Sequence, residues 1–207
     1  RDPRDVGGYD LLMPLADFDR TTTQGVNGAI FALLALDSGS YEIPENPDAA
    51  VQATREGYVE EILSRQNEDG GWSLAGGTSD VDLTAMALQA LAKYRGGAAV
   101  SGAVERGLAW LAWEQEPDGT FISWDTVSSE SVSQVIVALT ELGISLDDER
   151  FVKNGATVVD VLLRFQLDDG SFSHTPGSGS DLLASTQALY ALAAAQRQQD
   201  GKPALYD

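Results

Sequence analysis

Two acidic residues are the side chains of this chain best placed to do chemistry. Asp82 stands in the run Asp80-Val81-Asp82-Leu83-Thr84-Ala85, and Glu130 precedes the apolar run Val132–Leu139. If the two runs are neighbouring helices, the two carboxylates lie about 10 Å apart, the usual spacing of packed helices. A pair of that kind can serve acid–base chemistry, for example on a sugar. The alternative is that both are helix N-terminal charges, which stabilise the helix dipole.

The wider neighbourhood of these acids follows from aligning four similar apolar runs on their Ala-Leu pairs. This alignment brings Gln24, Asp82, Glu130 and Leu183 to one level, where the N-termini of the helices converge in a mouth. Gln89 and Gln134 interrupt the apolar faces, and they either line a cavity or bond to neighbouring backbone. The residues predicted to meet a ligand at the mouth are Gln24, Asp80, Asp82, Glu130 and Gln134.

A seven-residue box that occurs three times predicts the helical units that position these residues. The boxes begin at Gln66, Gln115 and Gln166, 49 and 51 residues apart, and each contains Asp-Gly followed two positions later by Trp or Phe. A fixed period near fifty indicates one supersecondary unit copied in tandem. The recurring positions are Gln66, Asp69, Gly70, Trp72, Gln115, Asp118, Gly119, Phe121, Gln166, Asp169, Gly170 and Phe172.

Two kinds of helix alternate around the boxes. The segments 55–66, 103–115 and 151–166 carry one apolar stripe each and predict surface helices. The runs 26–33, 84–91, 132–139 and 185–192 are almost entirely small or apolar, which predicts buried helices. The sequence therefore predicts an all-α fold of about four helical hairpins, buried helices inside and amphipathic helices outside. We expect an irregular arm over 1–20, the repeat domain over 21–200 and a short tail over 201–207.

The box Gln-x-x-Asp-Gly-x-(Trp/Phe) resembles the QW motif of the α/α toroids of terpenoid cyclases and protein prenyltransferases. The resemblance implies that the Gln ties a loop to a helix end and that the aromatic ring packs between units. Segments 22–28 and 201–207 resemble bacterial envelope members of the same superfamily, which implies a secreted or cell-envelope location. The fold occurs in proteins of several functions, so activity has to be argued from the site.

The resemblance also allows each known chemistry to be compared with the residues present. Class II terpene cyclases protonate an alkene with an Asp in an Asp-x-Asp-Asp-Thr-Ala run, and Asp82 matches the proton donor while Leu83 replaces the next Asp. The zinc-dependent prenyltransferases use Asp, Cys and His, whereas this chain has no Cys and one His, His174. We expect His174 to be a loop residue, and we expect neither a metal nor another cofactor.

Composition narrows the range of partners. The formal net charge is −19, which argues against nucleic acid and against insertion into or binding to an anionic membrane, because both are repelled by a strongly acidic surface. The partners left open are a small molecule, a protein, a neighbouring domain or a second copy on an open ring.

The sequence favours a non-catalytic toroid module of a secreted or cell-envelope bacterial protein, which binds a small ligand or protein at the mouth. This interpretation leans away from an enzyme because the cyclase motif is only partial. The first alternative is a terpenoid cyclase-like or carbohydrate-active enzyme that uses Asp82, with Glu130, as acid. The second is a structural spacer.

Overall fold

A computed structural model describes residues 2–206, which form eight α-helices and two very short β-hairpins. The helices are α1 Phe18–Thr22, α2 Val26–Asp37, α3 Arg55–Ser64, α4 Val81–Leu91, α5 Ala98–Glu114, α6 Ser129–Glu141, α7 Val158–Leu163 and α8 Leu182–Gln199. The hairpins pair β1 Ile122–Ser123 with β2 Thr126–Val127, and β3 Phe172–Ser173 with β4 Ser180–Asp181, both antiparallel. Short 3-10 turns cover Met13–Ala16 and Ala92–Tyr94.

The helices alternate between an inner and an outer layer. The inner helices α2, α4, α6 and α8 pack on one another in chain order, and α3, α5 and α7 cover α2, α4 and α6 from outside. Helix α6 is buried from Ser129 to Thr140, whereas α5 buries only one face. The prediction of an all-α toroid with buried inner and amphipathic outer helices is confirmed.

The three boxes form the turns that lead from an outer helix to the next inner one. Gly70, Gly119 and Gly170 all have φ between +85° and +98°, a left-handed conformation that favours glycine. In each box the Asp carboxylate accepts the backbone N–H two residues on, which closes the turn. The repeated Asp-Gly pair is therefore explained by the backbone geometry of the turn.

The Gln of the first two boxes ties its turn to the next unit. Gln66 Nε2 donates to the carbonyl of Ala103 in α5 at 2.8 Å, and Gln115 Nε2 donates to the carbonyl of Phe151 at 3.1 Å. Trp72 is fully buried, and its indole N–H donates to the carbonyl of Ile62 at 2.7 Å. Gln166 is exposed, and no helix of a further unit lies beside it among the described residues.

The structure departs from the predicted elements at two places. The helix expected over 151–166 is confined to Val158–Leu163, because Asn154 and Gly155 adopt positive φ in a turn and Thr157 starts the helix with a capping box. The two hairpins after the second and third boxes were not predicted, since strands of two residues leave no periodic pattern.

The last inner helix, α8, lacks the cover that the helices before it have. In α8, the stripe formed by Leu182, Thr186, Leu189 and Ala193 is exposed, whereas the corresponding residues of α4 and α6 are buried. The C-terminal end of α6 is covered by the residues that follow α8. There the Glu141 carboxylate accepts the backbone N–H of Leu205 at 2.7 Å. No helix in residues 2–206 combines the length and apolarity needed to span a membrane.

Candidate functional site

Asp82 lies in the first turn of α4, at the end of the array where the inner helices begin. Its Oδ2 atom lies 3.2 Å from Ser123 Oγ, which comes from β1 in the next unit. Its Oδ1 atom is sealed from solvent and has no hydrogen-bond partner among the described residues. A carboxylate is poorly stabilised in such surroundings, because a buried charge needs partners for both oxygens.

Asp80, and not Asp82, is the N-cap of α4. Its Oδ1 accepts the backbone N–H of Leu83 at 3.0 Å, and its Oδ2 accepts Ser123 Oγ–H at 2.6 Å. Asp82 makes no such cap. The two acids are therefore different: Asp80 starts the helix, and Asp82 is left free of a structural hydrogen bond to the backbone.

Burial raises the pKa of Asp82 from its ordinary value of 3.8 to about 6. The nearby charges of Asp80 and Glu130 raise this pKa further, while the hydroxyls of Ser131 and Ser123 oppose the rise. About a tenth of Asp82 is therefore protonated at pH 7 and about half at pH 6, and the protonated form is the state that a general acid needs.

Glu130 lies in the first turn of α6 and pairs with the single histidine of the chain. Both carboxylate oxygens lie within hydrogen-bond distance of His174 Nδ1, at 2.9 and 3.0 Å. The Glu130 side chain is mostly buried, while about half of the His174 side chain is exposed. Ser129 lies beside the pair, since its hydroxyl oxygen is 3.0 Å from Glu130 Oε2 and its backbone N–H donates to the His174 carbonyl at 3.0 Å.

The two acid sites repeat one geometry in successive units. Counted from the aromatic residue of the box, Ser123 and His174 occupy the same position, two residues after Phe121 and Phe172. Each reaches back to an acid in the first turn of the preceding inner helix. Sequence reasoning treated His174 as a plain loop residue, although the box alignment places it in register with Ser123.

The other residues predicted at the mouth lie apart from this cluster. Gln24 is exposed in the turn before α2. Gln134 lies one helical turn beyond Glu130 and donates to Gln187 of α8 at 2.9 Å, while Gln89 of α4 donates to the Gln134 side chain and carbonyl. These glutamines link the three inner helices α4, α6 and α8. The bond from Gln89 to the Gln134 carbonyl agrees with one of the two expected alternatives, a hydrogen bond to neighbouring backbone.

Two further features bear on what the site can hold. A cavity of about 1010 Å³ lies at the opposite end of the array, between the C-terminal ends of α6 and α8 and the chain terminus, and Asp82 is not among its lining residues. Within residues 2–206, no three acidic or histidine side chains come together in a way that could hold a metal ion.

Comparison with known families agrees with this fold. The model of the prenyltransferase alpha-alpha toroid domain matches residues 14–204. The chain belongs to this family. The prediction of a terpenoid cyclase and prenyltransferase superfamily toroid is thereby confirmed.

Two individual proteins are similar to this toroid. Drimenyl diphosphate synthase from Streptomyces showdoensis is 31% identical over 201 residues, which is 95% of this chain and 35% of the synthase. The chain thus spans about a third of the length of the curated relative it matches. Candida albicans protein geranylgeranyltransferase-I, solved in complex with GGPP, superposes with a TM-score of 0.58 at 17% identity, over 84% of this chain and 50% of that one. This second likeness concerns the fold alone.

These comparisons contradict the expectation of a non-catalytic envelope module. The synthase that resembles almost the whole toroid is named for an enzymatic reaction on a terpenoid, so the enzyme alternative is the better supported one. The expectation, which depended on the partial cyclase motif with Leu83 in place of the second Asp, was wrong. The secreted or cell-envelope location, the partners and the domain boundaries stay predictions.

Proposed function

We propose that this toroid carries the general acid of a terpenoid cyclase, with Asp82 as the residue that donates a proton to a carbon–carbon double bond of an acyclic isoprenoid. The observation that carries the proposal is the state of Asp82: a partly buried acid in the first turn of an inner helix, with one oxygen sealed and unpartnered. With a pKa of about 6, such an acid is protonated far more often near neutral pH than an ordinary Asp is.

The similar synthase supports the chemical class. Its name states that it makes drimenyl diphosphate, a terpenoid. The run from Asp80 to Ala85 matches the cyclase acid motif at every position except Leu83.

Replacement of the second Asp by Leu83 changes how the acid is supported. In this chain the hydroxyl of Ser123 bridges Asp80 and Asp82, at 2.6 and 3.2 Å. We infer that this bridge orients the acid, and that the neighbouring charges of Asp80 and Glu130 keep its proton in place until an alkene approaches. After the proton leaves, the Ser123 hydroxyl is close enough to turn its single proton from Asp80 to the carboxylate that forms on Asp82.

The surroundings offer apolar contact for a hydrocarbon. Leu183 lies at the same register as Asp82 and Glu130 and is exposed, as is Leu182 beside it. An isoprenoid that reached the mouth would place its chain against these leucines while one double bond met Asp82. Burial of each additional methylene group contributes about 0.8 kcal/mol to such binding.

The experiment is turnover of acyclic isoprenoids by the full protein in D2O. Farnesyl diphosphate, geranylgeranyl diphosphate and squalene are incubated separately, and products are analysed by mass spectrometry for cyclisation and for incorporated deuterium. We expect a cyclic product with deuterium at the protonated carbon, and Asp82→Asn to reduce its formation at least about a hundredfold.

The matched control is Asp181→Asn, since Asp181 caps α8 at the same end of the array and Asn caps equally well. This variant should keep wild-type turnover. Retention of activity within tenfold by Asp82→Asn, or the absence of cyclic product from all three isoprenoids, contradicts the proposal.

A further inference from the structure

We propose that Glu130 and His174 form the proton-accepting pair of the same site, in which His174 removes the proton that ends the reaction and Glu130 orients its ring. This inference rests on the proposed function, because it assigns the step that follows protonation by Asp82. It concerns residues for which the family motif gives no role.

The hydrogen bonds fix which nitrogen of the ring is available. An ionised carboxylate only accepts hydrogen bonds, so the contacts of 2.9 and 3.0 Å from Glu130 place the proton of neutral His174 on Nδ1. Nε2 then carries a lone pair and makes no hydrogen bond among the described residues. A ring held by a carboxylate at one nitrogen, with the other free, has the arrangement of a general base.

The pair is held in one position by the backbone of two elements. Ser129, the first residue of α6, donates its hydroxyl to the Ser173 carbonyl at 2.9 Å and its backbone N–H to the His174 carbonyl at 3.0 Å. The hydroxyl of Ser129 also lies 3.0 Å from Glu130 Oε2. The backbone of Ser173 and His174 is therefore tied to the start of α6, and the ring itself is held by its Nδ1 contact with Glu130.

The acid and the pair lie on neighbouring inner helices. Helices α4 and α6, whose first turns carry Asp82 and Glu130, pack directly against each other, and the charge of Glu130 contributes to the raised pKa of Asp82. We infer that one ligand at the mouth contacts both, so that one carbon gains a proton and another loses one.

The Glu130 carboxylate is only 8% exposed and contacts both the His174 ring and the Ser129 hydroxyl. A histidine held by a buried carboxylate, beside an acid whose pKa is raised, is an arrangement found at functional sites.

The atoms of the proposed step balance without an added reactant. The O–H bond of Asp82 breaks, a C–H bond forms at one end of an alkene, and the π electrons of the neighbouring alkene close a ring and leave a carbocation. A C–H bond next to this cation then breaks, its electrons form a new C=C bond, and its proton forms the Nε2–H bond of His174. Return of one proton to Asp82 from solvent and loss of one from His174 restore the site, so the net reaction is an isomerisation.

The first test is independent of turnover. Because His174 is the only histidine of this 207-residue chain, 15N-labelled histidine gives one imidazole spin system in its NMR spectrum. At a pH where the ring is neutral we expect the Nδ1-protonated tautomer, and in Glu130→Gln a shift toward the Nε2-protonated form that prevails in free histidine. A neutral ring protonated on Nε2 in the wild-type protein overturns the proposal.

The second test uses the product. His174→Gln should lower the yield of alkene product about 10- to 100-fold and raise the share of product captured by water as an alcohol, while deuterium from D2O still enters at the first carbon. Glu130→Gln should shift the product in the same direction, and the exposed control Glu149→Gln should not.

The outcomes separate the two proposals. Loss of first-step deuterium in Asp82→Asn, together with an unchanged alkene share and rate in His174→Gln, overturns the inference and leaves the acid assignment standing. Failure of Asp82→Asn to affect deuterium entry overturns the acid assignment itself.

Discussion

Replacement of Asp82 by Asn should stabilise the folded protein at neutral and alkaline pH. The pKa of Asp82 in the folded state is about 6, against an ordinary value of 3.8. Each pKa unit corresponds to about 1.4 kcal/mol, so the ionised side chain costs the folded state about 3 kcal/mol. Asn has nearly the same shape, cannot ionise, and can still accept a hydrogen bond from Ser123.

The sign of the pH dependence follows from proton binding. Between about pH 4 and pH 6 the folded state holds a proton on Asp82 that the unfolded state has lost, so the free energy of unfolding contributed by this group falls as pH rises through that window. Above pH 6 the full cost of about 3 kcal/mol applies. The difference in stability between Asp82→Asn and the wild type should therefore grow from near zero at pH 4 to about 3 kcal/mol at pH 8.

The assay is urea unfolding followed by tryptophan fluorescence and circular dichroism, at half-unit pH steps from 4 to 8. For a chain of this length, about 3 kcal/mol corresponds to roughly 5–10 °C in thermal midpoint. Asp118→Asn is the matched control, and its change in the free energy of unfolding should have the opposite sign. Hydrogen bonds from Thr120 hold the pKa of Asp118 below its ordinary value, so the ionised carboxylate stabilises the folded protein. A variant at Asp82 that is less stable than wild type at pH 8, or a difference that does not change with pH, refutes the reasoning.

Two further stability predictions compare equivalent positions of different boxes by urea unfolding. Gln115→Ala should lower the free energy of unfolding by about 2–4 kcal/mol, because it leaves buried carbonyls without a donor. Gln166→Ala, at an exposed position, should lower it by no more than about 0.5 kcal/mol, and equal losses of stability in the two variants contradict the hydrogen-bonded tie between units. Gly170→Ala should cost about 1–2 kcal/mol for its positive φ alone, and Gly70→Ala more than that, because its new Cβ atom lies 2.8 Å from the carbonyl oxygen of Arg106; similar values for both speak against the close approach.

The repeat boxes made the architecture predictable from the sequence. The sequence alone indicates inner and outer helices, through the period of the boxes, their Asp-Gly turns and the contrast between apolar and amphipathic segments. The boundaries were less predictable where the apolar pattern continued through a turn. Residues 151–157 show this, since Asn154 and Gly155 end the pattern locally in a way that periodicity does not report.

The site was predictable in position but not in its division of roles. Register places Asp82 and Glu130 at one end of neighbouring helices, and the cyclase motif matches Asp82 to the proton donor, yet the sequence does not show that Asp80 caps the helix while Asp82 is partly buried. That difference depends on which hydroxyls approach from the following hairpin, and Ser123 lies 41 residues away along the chain. The pairing of His174 with Glu130 depends equally on a hairpin with no periodic signal.

The exposed α8 stripe has a consequence for how such arrays change length. The same four positions are sealed in α4 and α6 by the helix that follows, so one kind of joint serves at every step. An interface of this kind can always accept one more unit. The array therefore ends only where a different structural element covers the last inner helix. Duplication or loss of a whole unit therefore leaves every remaining joint intact, and the number of units in a lineage is free to vary while the acids at the mouth keep their local supports.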